Sequence, residues 1–384
     1  MEVYFDNAAT TKIIPEVREI MLKTMDEDYG NPSSMHLKGV EAENYVRNAR
    51  NSIAKQLKCE SKEIIFTSGG TESNNLALLG LALANKRAGN HIITTGIEHA
   101  SVYNPVLYLQ ELGFEVTFLK VDAHGKVDLD HLRESLRDDT ILVSTMAVNN
   151  EIGAVEPIEE IAAIIKQYNK EHDRQILYHV DAIQAFGKRV IYPKRVGIDA
   201  MSMSGHKIHG PKGSGALFVD SKVKIKPVLY GGGQEKGMRS GTENTAAIAG
   251  MGKATEIMYA RLEDNNEKMQ AVKDALIAGA TKIEGVTDNS GESPHIASLS
   301  FRGVRSEVLL HALEDKGIYV SAGSACSSNH PAISGVLQAI GLDKDLLEST
   351  LRFSFCEYNT VEEAEYTVKV LEEILPLLRK FTRK

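Results

Sequence analysis

Two glycine-containing segments of the chain offer the groups that bind a phosphate. The first, SGGTESNN at 68–75, directly follows the strand candidate EIIF and opens a helix. Free N–H groups at a helix start favour an anion, and Gly70 and Thr71 lie where the backbone and a hydroxyl could approach it. The second, SMSGHKIHGPKGSG at 202–215, places Ser204, His206 and Lys207 between a strand candidate and a run of glycines. Either segment alone is also compatible with an ordinary turn.

The segment HVDAIQ at 179–184 favours a phosphate-binding role over an ordinary turn, because it places Asp181 and Gln184 at the end of an apolar strand. A pyridine-ring cofactor that carries a phosphate needs a carboxylate at its ring nitrogen, a donor at its ring oxygen, a lysine and a phosphate cradle. Asp181, Gln184, Lys207 and the two glycine-containing segments supply one candidate for each requirement. The combination predicts a pyridoxal-phosphate site.

Two further segments carry residues that could act on a substrate. Arg352 lies in the apolar run TLRFSF, where a buried guanidinium needs a partner, and a substrate carboxylate fits its fork. The alternation of Leu351, Phe353 and Phe355 equally permits an arginine that points to solvent. Cys326 lies in SAGSACSS at 321–328, among small residues that give a loop few packing contacts. We read Cys59 and Cys356 as small buried hydrophobes.

Short apolar runs alternate with helix-periodic segments from about residue 60 to 220, which predicts a mostly parallel sheet covered by helices. In such sheets ligands bind beyond the carboxyl ends of the strands. After about residue 260 the pattern changes to that of a smaller α+β domain, with a hinge helix near 245–285 and a last helix that begins with the capping box Thr360 and Glu363. We expect a large cofactor-binding domain at 15–260 and a small domain formed by 1–14 and 261–384.

Composition excludes several classes of protein. The chain has 384 residues, 42% of them hydrophobic, and a formal net charge of −8, which disfavours stable nucleic-acid binding. No apolar run is long enough for a membrane span, and the N-terminus lacks the pattern of a signal peptide, so we expect a cytoplasmic protein. The three cysteines form no CxxC pair, and we expect no metal site.

From YFDNAATT to TLRFSF the sequence resembles the class V aminotransferase family of fold-type I pyridoxal-phosphate enzymes, and within it the cysteine desulfurases of the NifS/IscS group. The resemblance implies an α/β transferase fold with a mixed, mostly parallel sheet in the large domain. It places the cofactor on Lys207, the ring nitrogen on Asp181, the ring oxygen on Gln184 and the stacking histidine, also a general acid or base, on His99 of IEHAS. Its further cofactor-binding positions are Gly70, Thr71, Asn150 of NNEIG, Ser204, His206 and Thr242, the last reaching the phosphate of a partner subunit.

The same resemblance assigns the substrate carboxylate to Arg352 and, more loosely, Asn31 of YGNPSSMH, and the catalytic thiol to Cys326. It implies conversion of L-cysteine to L-alanine with sulfur left on Cys326 as a persulfide, a homodimer, and a sulfur-acceptor protein such as an Fe–S scaffold. Alternatives that stay open are a selenocysteine lyase or aminotransferase of the same fold, neither of which needs Cys326, and a non-catalytic sulfur-delivery scaffold. A scaffold would have no use for Lys207, Asp181, His99, Cys326 and Arg352 together.

Overall fold

A seven-stranded sheet forms the centre of the computed structural model, which describes residues 1–322 and 334–381. The strands of the described chain are β1 Val3–Tyr4, β2 Ile64–Thr67, β3 His91–Thr95, β4 Glu115–Leu119, β5 Thr140–Met146, β6 Leu177–Asp181, β7 Ala200–Ser204, β8 Gly215–Val219, β9 Val286–Asp288, β10 Ile296–Phe301, β11 Ile318–Tyr319, β12 Ser321–Ala322 and β13 Thr350–Ser354. The central order is β2-β8-β7-β6-β5-β3-β4, in which only the pairs made by β8 are antiparallel.

Helices cover both faces of this sheet. The helices of the described chain are α1 Pro15–Asp26, α2 Leu37–Leu57, α3 Gly70–Asn85, α4 Ala100–Glu111, α5 Leu129–Ser135, α6 Ile158–His172, α7 Pro193–Val196, α8 Thr245–Ala260, α9 Leu262–Ala280, α10 Ser306–Glu314, α11 Gly335–Ala339, α12 Lys344–Leu347 and α13 Val361–Phe381. Because successive side chains of a strand point to opposite faces, Ile93 and Val143 join one apolar cluster while Ile92 and Leu142 join another. Burial on both faces explains why these strands read as continuous apolar runs.

A second sheet, in the order β12-β13-β10-β9, is antiparallel throughout. Its apolar core includes Phe301, Phe353 and Leu371, and it also includes Val3 and Phe5 from the other end of the chain. Strand β1 pairs in parallel with β11. The N-terminus is therefore packed with the C-terminal part of the protein.

The predicted alternation from about residue 60 to 220 is present, as strands β2 to β8 with helices α3 to α7 between them. The capping box is also present, because the Thr360 amide donates to Glu363 and the Glu363 amide donates to the Thr360 hydroxyl. The prediction of one helix near 245–285 is wrong, since Arg261, at φ −126° and ψ 24°, separates α8 from α9. No helix in the described part of the chain is long and apolar enough to cross a membrane.

Candidate active site

The candidate residues of the large sheet meet where its parallel strands end. Asp181 is the last residue of β6, and Lys207 lies in the short 3-10 turn after β7. His99 follows β3 and forms the N-cap of α4, while Asn150 follows β5. This edge of an open α/β sheet is where ligands bind.

The Lys207 side chain is fixed by the N-terminal segment. Its Nζ donates to the carbonyl oxygens of Ala8 and Ala9, each at 2.6 Å. Gln184 Nε2 donates to the same Ala8 carbonyl at 3.0 Å, and Gln184 Oε1 lies 3.2 Å from His295 Nε2. The Ala8 carbonyl thus brings the predicted cofactor lysine and the predicted ring-oxygen partner to one point.

Asp181 is a buried carboxyl with two donors from the protein. Its Oδ2 accepts a hydrogen bond from Asn74 Nδ2 at 2.8 Å, and its Oδ1 accepts one from the Ile183 amide at 2.9 Å. Burial raises the pKa of Asp181, while these hydrogen bonds and the charges of His99 and Lys207 oppose that shift. A cationic ring nitrogen would further stabilise the carboxylate, which is the partner that a pyridoxal ring requires.

His99 is held in one tautomer by its neighbours. Its Nδ1 accepts from the Ser101 amide at 3.1 Å and lies 2.8 Å from the Ser101 hydroxyl. Asn74 Nδ2 donates to that hydroxyl oxygen at 2.8 Å, so the hydroxyl proton is directed to Nδ1. Because Nδ1 accepts a hydrogen bond from the Ser101 amide, the proton of the neutral ring is on Nε2. Burial also lowers the pKa of His99, which keeps the ring neutral.

A cleft that contains the predicted phosphate-binding residues lies beside these groups. It has a volume of about 390 Å³ and is lined by Gly70, Thr71, Ser204 and His206, among others. No side chain caps the N-terminus of α3, and the buried Ser204 hydroxyl has no hydrogen-bond partner in the described protein. Thr71 also lines a neighbouring cleft of about 540 Å³ that contains His99. An anion bound at Ser204 and the α3 N-terminus would satisfy these polar groups, so the residues fit pyridoxal phosphate.

Arg352 is buried, which excludes the alternative that its side chain points to solvent. Its Nη2 donates to Asp6 Oδ1 at 2.8 Å, and its Nη1 donates to the Asn150 carbonyl at 2.9 Å. Only 8% of Arg352 is exposed, and its Nε has no hydrogen-bond partner in the described protein. Asn150, predicted beside the cofactor, therefore contacts the predicted substrate arginine through its backbone.

Two predicted residues of the described chain are not brought to these groups. Asn31 and Thr242 line a separate cleft of about 330 Å³ between the α1–α2 connection and the loop before α8. Cys326 lies outside the described residues. Of the other cysteines, Cys59 is partly buried, and burial raises the pKa of its thiol to about 12, which agrees with a structural role.

Sequence reasoning missed the residues that position the predicted ones. Asn74 joins Asp181 to Ser101, and Asp6 pairs with Arg352. The Thr11 side chain accepts from the His209 amide and donates to the His206 carbonyl. The available signal was the run DNAATTK at 6–12, which is polar or small and has neither helical nor strand periodicity.

A lysine, a buried carboxylate and a phosphate cradle at the carboxyl edge of a mostly parallel sheet define a pyridoxal-phosphate-dependent enzyme of the aminotransferase type. The family model for aminotransferase class V matches residues 3–367. The chain belongs to this family.

The chain is similar to proteins named as cysteine desulfurases. It is 44% identical to cysteine desulfurase IscS of Methanosarcina thermophila over 99% of this chain and 93% of that protein. It is 42% identical to putative cysteine desulfurase IscS 1 of Bacillus subtilis over 98% of this chain and 99% of that protein. A solved structure described as a NifS-like protein superposes with a TM-score of 0.92 at 39% identity, covering 98% of this chain and 100% of that one.

Proposed function

We propose that this protein is a cysteine desulfurase that converts L-cysteine to L-alanine and leaves the sulfur on Cys326 as a persulfide. The observation that carries the chemistry is the convergence of Lys207, Asp181 and His99 where the parallel strands β3, β6 and β7 end. The choice of cysteine rests on the names of full-length relatives and on Cys326 in the sequence.

The cofactor would be held at its phosphate by hydrogen-bond donors and at its ring nitrogen by a carboxylate. Ser204, His206, Gly70 and Thr71 would bind its phosphate, and Asp181 would bind its ring nitrogen. Lys207 would hold it covalently, and its present contacts to Ala8 and Ala9 position the amine for that bond. Bound pyridoxal phosphate supplies an electron sink for the pair left at the substrate α-carbon.

The protein's residues then bind the substrate and move its protons. Arg352 would bind the α-carboxylate in a bidentate geometry, with Asp6 fixing the guanidinium. The Lys207 amine, released when the substrate amine binds, takes the proton from the α-carbon. We propose that His99 acts as a hydrogen-bond donor through Nε2 rather than as a base, because its Nδ1 accepts from Ser101.

The transfer of sulfur balances without an added oxidant or reductant. The Cys326 thiolate bonds to the substrate sulfur, the carbon–sulfur bond breaks, and its electron pair stays with the carbon fragment that becomes alanine. One cysteine and one thiol give one alanine and one persulfide. Cys59 is poorly suited to this step because its raised pKa keeps it protonated.

Incubation of the purified protein with L-cysteine, without reductant, tests the proposal. We expect alanine and one extra sulfur on the peptide that contains Cys326. In a separate sample without cysteine, borohydride should fix the cofactor on the peptide that contains Lys207. Sulfur on a Cys59 or Cys356 peptide, or cofactor on another lysine, would contradict it. Transamination without loss of sulfur would favour an aminotransferase instead.

We further propose a homodimer in which Thr242 reaches the partner's phosphate. Thr242 and Asn31 share a cleft at the surface, and the neighbouring Tyr29, Met35 and Leu37 are 70%, 102% and 81% exposed. Apolar side chains exposed this far and this close together are typical of interfaces. Sedimentation is expected to show a dimer, and Leu37→Glu should weaken both the dimer and cofactor binding.

The domain division at 15–260 and at 1–14 with 261–384 is retained as a proposal, as are cytoplasmic localisation and a sulfur-acceptor protein such as an Fe–S scaffold. The apolar clusters support the division. Val17 and Met258 pack with the central sheet, whereas Val3 and Met269 pack with the second sheet. Ile14, the last residue of the segment 1–14, also packs with the central sheet, so this cluster favours a boundary just before it. Limited proteolysis that cuts first near Arg261 would agree with it.

A further inference from the structure

Three potential metal ligands lie near the 3-10 turn Gly205–Lys207, which we call the lysine turn. None of the three is assigned to catalysis. They are His209, Cys356 and Glu357, and one ligand atom from each lies within 4.8 Å of the other two. His209 Nε2 is 3.2 Å from Glu357 Oε2. In the described part of the chain no other His, Cys, Asp or Glu group of this kind is present.

We propose that His209, Cys356 and Glu357 bind a divalent zinc ion. One nitrogen, one thiolate sulfur and one carboxylate oxygen are the donor types that zinc takes in proteins, with water as a fourth ligand. Zinc bonds of about 2.0–2.1 Å at the tetrahedral angle separate nitrogen and oxygen ligands by about 3.3 Å. The distance between His209 Nε2 and Glu357 Oε2, 3.2 Å, matches that separation.

The surroundings of His209 orient it for this role. Its Nδ1 donates to the Lys12 carbonyl at 2.7 Å, which leaves the Nε2 lone pair of the neutral ring for a metal. Metal-binding histidines almost always donate their other ring N–H in this way. The His209 amide donates to Thr11 Oγ1 at 2.7 Å, and the Tyr358 ring packs edge-on against the imidazole at 5.5 Å.

Charge and access are also compatible with an ion. A thiolate and a carboxylate neutralise the divalent cation itself, and the buried Lys188, whose charge acts on Cys356 and Glu357, would remain beside the site. His209 is 2% exposed, and Cys356 and the Glu357 side chain are each 9% exposed, so water is largely excluded. The narrow access that remains lies beside Cys356 and Glu357.

The competing state is a proton in place of the metal. Burial lowers the pKa of His209, but hydrogen bonds with Cys356 and Glu357 outweigh burial and raise this pKa to about 10. An imidazolium–carboxylate pair would then join the same segments, and a metal would bind only by displacing the proton. Direct metal binding distinguishes the two states.

A bound zinc would join the lysine turn to the strand of the substrate arginine. His209 lies two residues beyond Lys207, and Cys356 and Glu357 follow β13, which contains Arg352. The ion would thus fix the distance between the two sides of the active site. The inference does not depend on cysteine being the substrate.

Cobalt and zinc titrations of the full-length holoprotein test this site. Cys326→Ser serves as the background so that the catalytic thiol contributes nothing. After chelator treatment and reloading, we expect one zinc per chain by elemental analysis. With cobalt we expect the ligand-field bands of a tetrahedral thiolate site, at longer wavelength than the cofactor band.

Added Cys356→Ser should remove the thiolate–cobalt signal and weaken zinc binding by at least about tenfold, whereas Cys59→Ser, the matched control, should change neither. Glu357→Gln, an isosteric change at the partly exposed ligand, decides the matter if Cys356→Ser does not fold, and it should also weaken binding. Absence of stoichiometric metal after reloading, or an unchanged cobalt spectrum in Cys356→Ser or Glu357→Gln, would overturn the assignment and leave the ion pair.

Discussion

Substitution of Asn74 by leucine tests whether the buried amide sets the charge state of Asp181. Asn74 is fully buried, and its Nδ2 donates at 2.8 Å both to Asp181 Oδ2 and to Ser101 Oγ. Leucine has a similar shape but no donor. The Asn74 Oδ1 has no partner in the described protein, so the change removes only the two donated hydrogen bonds.

The size of the effect follows from the charge of the acceptor. A hydrogen bond to a charged group contributes roughly 1.5–3 kcal/mol, which corresponds to about 1–2 pKa units. Because the lost bond favours the carboxylate, Asn74→Leu should raise the pKa of Asp181 further above its ordinary value. Asp181 must be ionised to pair with the protonated ring nitrogen, and a higher pKa makes that ionisation cost more. We therefore expect pyridoxal-phosphate affinity to fall by roughly 10- to 100-fold.

Spectroscopic titration of cofactor into the cofactor-free protein measures this affinity. Asn85→Leu is the matched control, because Asn85 lies on the same helix and donates only to the Leu81 and Lys224 carbonyls, away from Asp181. It should leave the affinity unchanged. Asn74→Asp should be worse than Asn74→Leu, since it adds a second carboxyl beside Asp181. Wild-type affinity in Asn74→Leu would refute the idea that this hydrogen bond matters to the charge of Asp181.

Three further predictions follow from buried groups and from Cys326. Arg352→Ala should raise KM for cysteine strongly and leave the resting cofactor spectrum intact. The substrate carboxylate would lose its buried charged partner, which costs roughly 2–5 kcal/mol. An unchanged KM in steady-state assays would refute the carboxylate role. Cys326→Ser should keep the cofactor colour but release no alanine, and normal release would favour direct expulsion of sulfide. Burial lowers the pKa of His179 from 6.5 to about 3, so its contribution to stability is complete above pH 6.5 and is lost as the pH falls toward 3. In urea unfolding, His179→Asn should reduce the slope of stability against pH in that range by about 1.4 kcal/mol per pH unit, and an unchanged slope would argue against a neutral buried ring.

The strands of the central sheet could be predicted because their signal is local. The run TILVSTM at 140–146 is entirely buried, and helices on both faces require such a run to be apolar or internally hydrogen-bonded. Its polar members are paired, with Ser144 against His179 and Thr145 against Tyr178. Composition within seven residues therefore contains the information that defines the strand.

The partners of the site could not be predicted because their signal is not local. Asn74 looks like an ordinary polar residue of a helix, and its importance comes from Asp181, 107 positions away. Asp6 and Arg352 are separated by 346 positions. A charged residue in an apolar strand indicates that it has a partner. The sequence does not say whether that partner is a substrate, solvent or another part of the protein.

The segment from Asp6 to Lys12 shows why the cofactor side and the substrate side cannot be positioned independently. Its first residue binds the Arg352 guanidinium, and the carbonyls of Ala8 and Ala9 accept from the Lys207 amine. Its last residue accepts from the His209 ring. Only Asn7 lies between Asp6 and Ala8, so the backbone limits how far the arginine and the lysine can move apart. The Asn7 amide donates to the Ser354 carbonyl in β13, and the Thr11 amide donates to the His206 carbonyl beside Lys207. A shift of the second sheet therefore moves Arg352 and the support of Lys207 together.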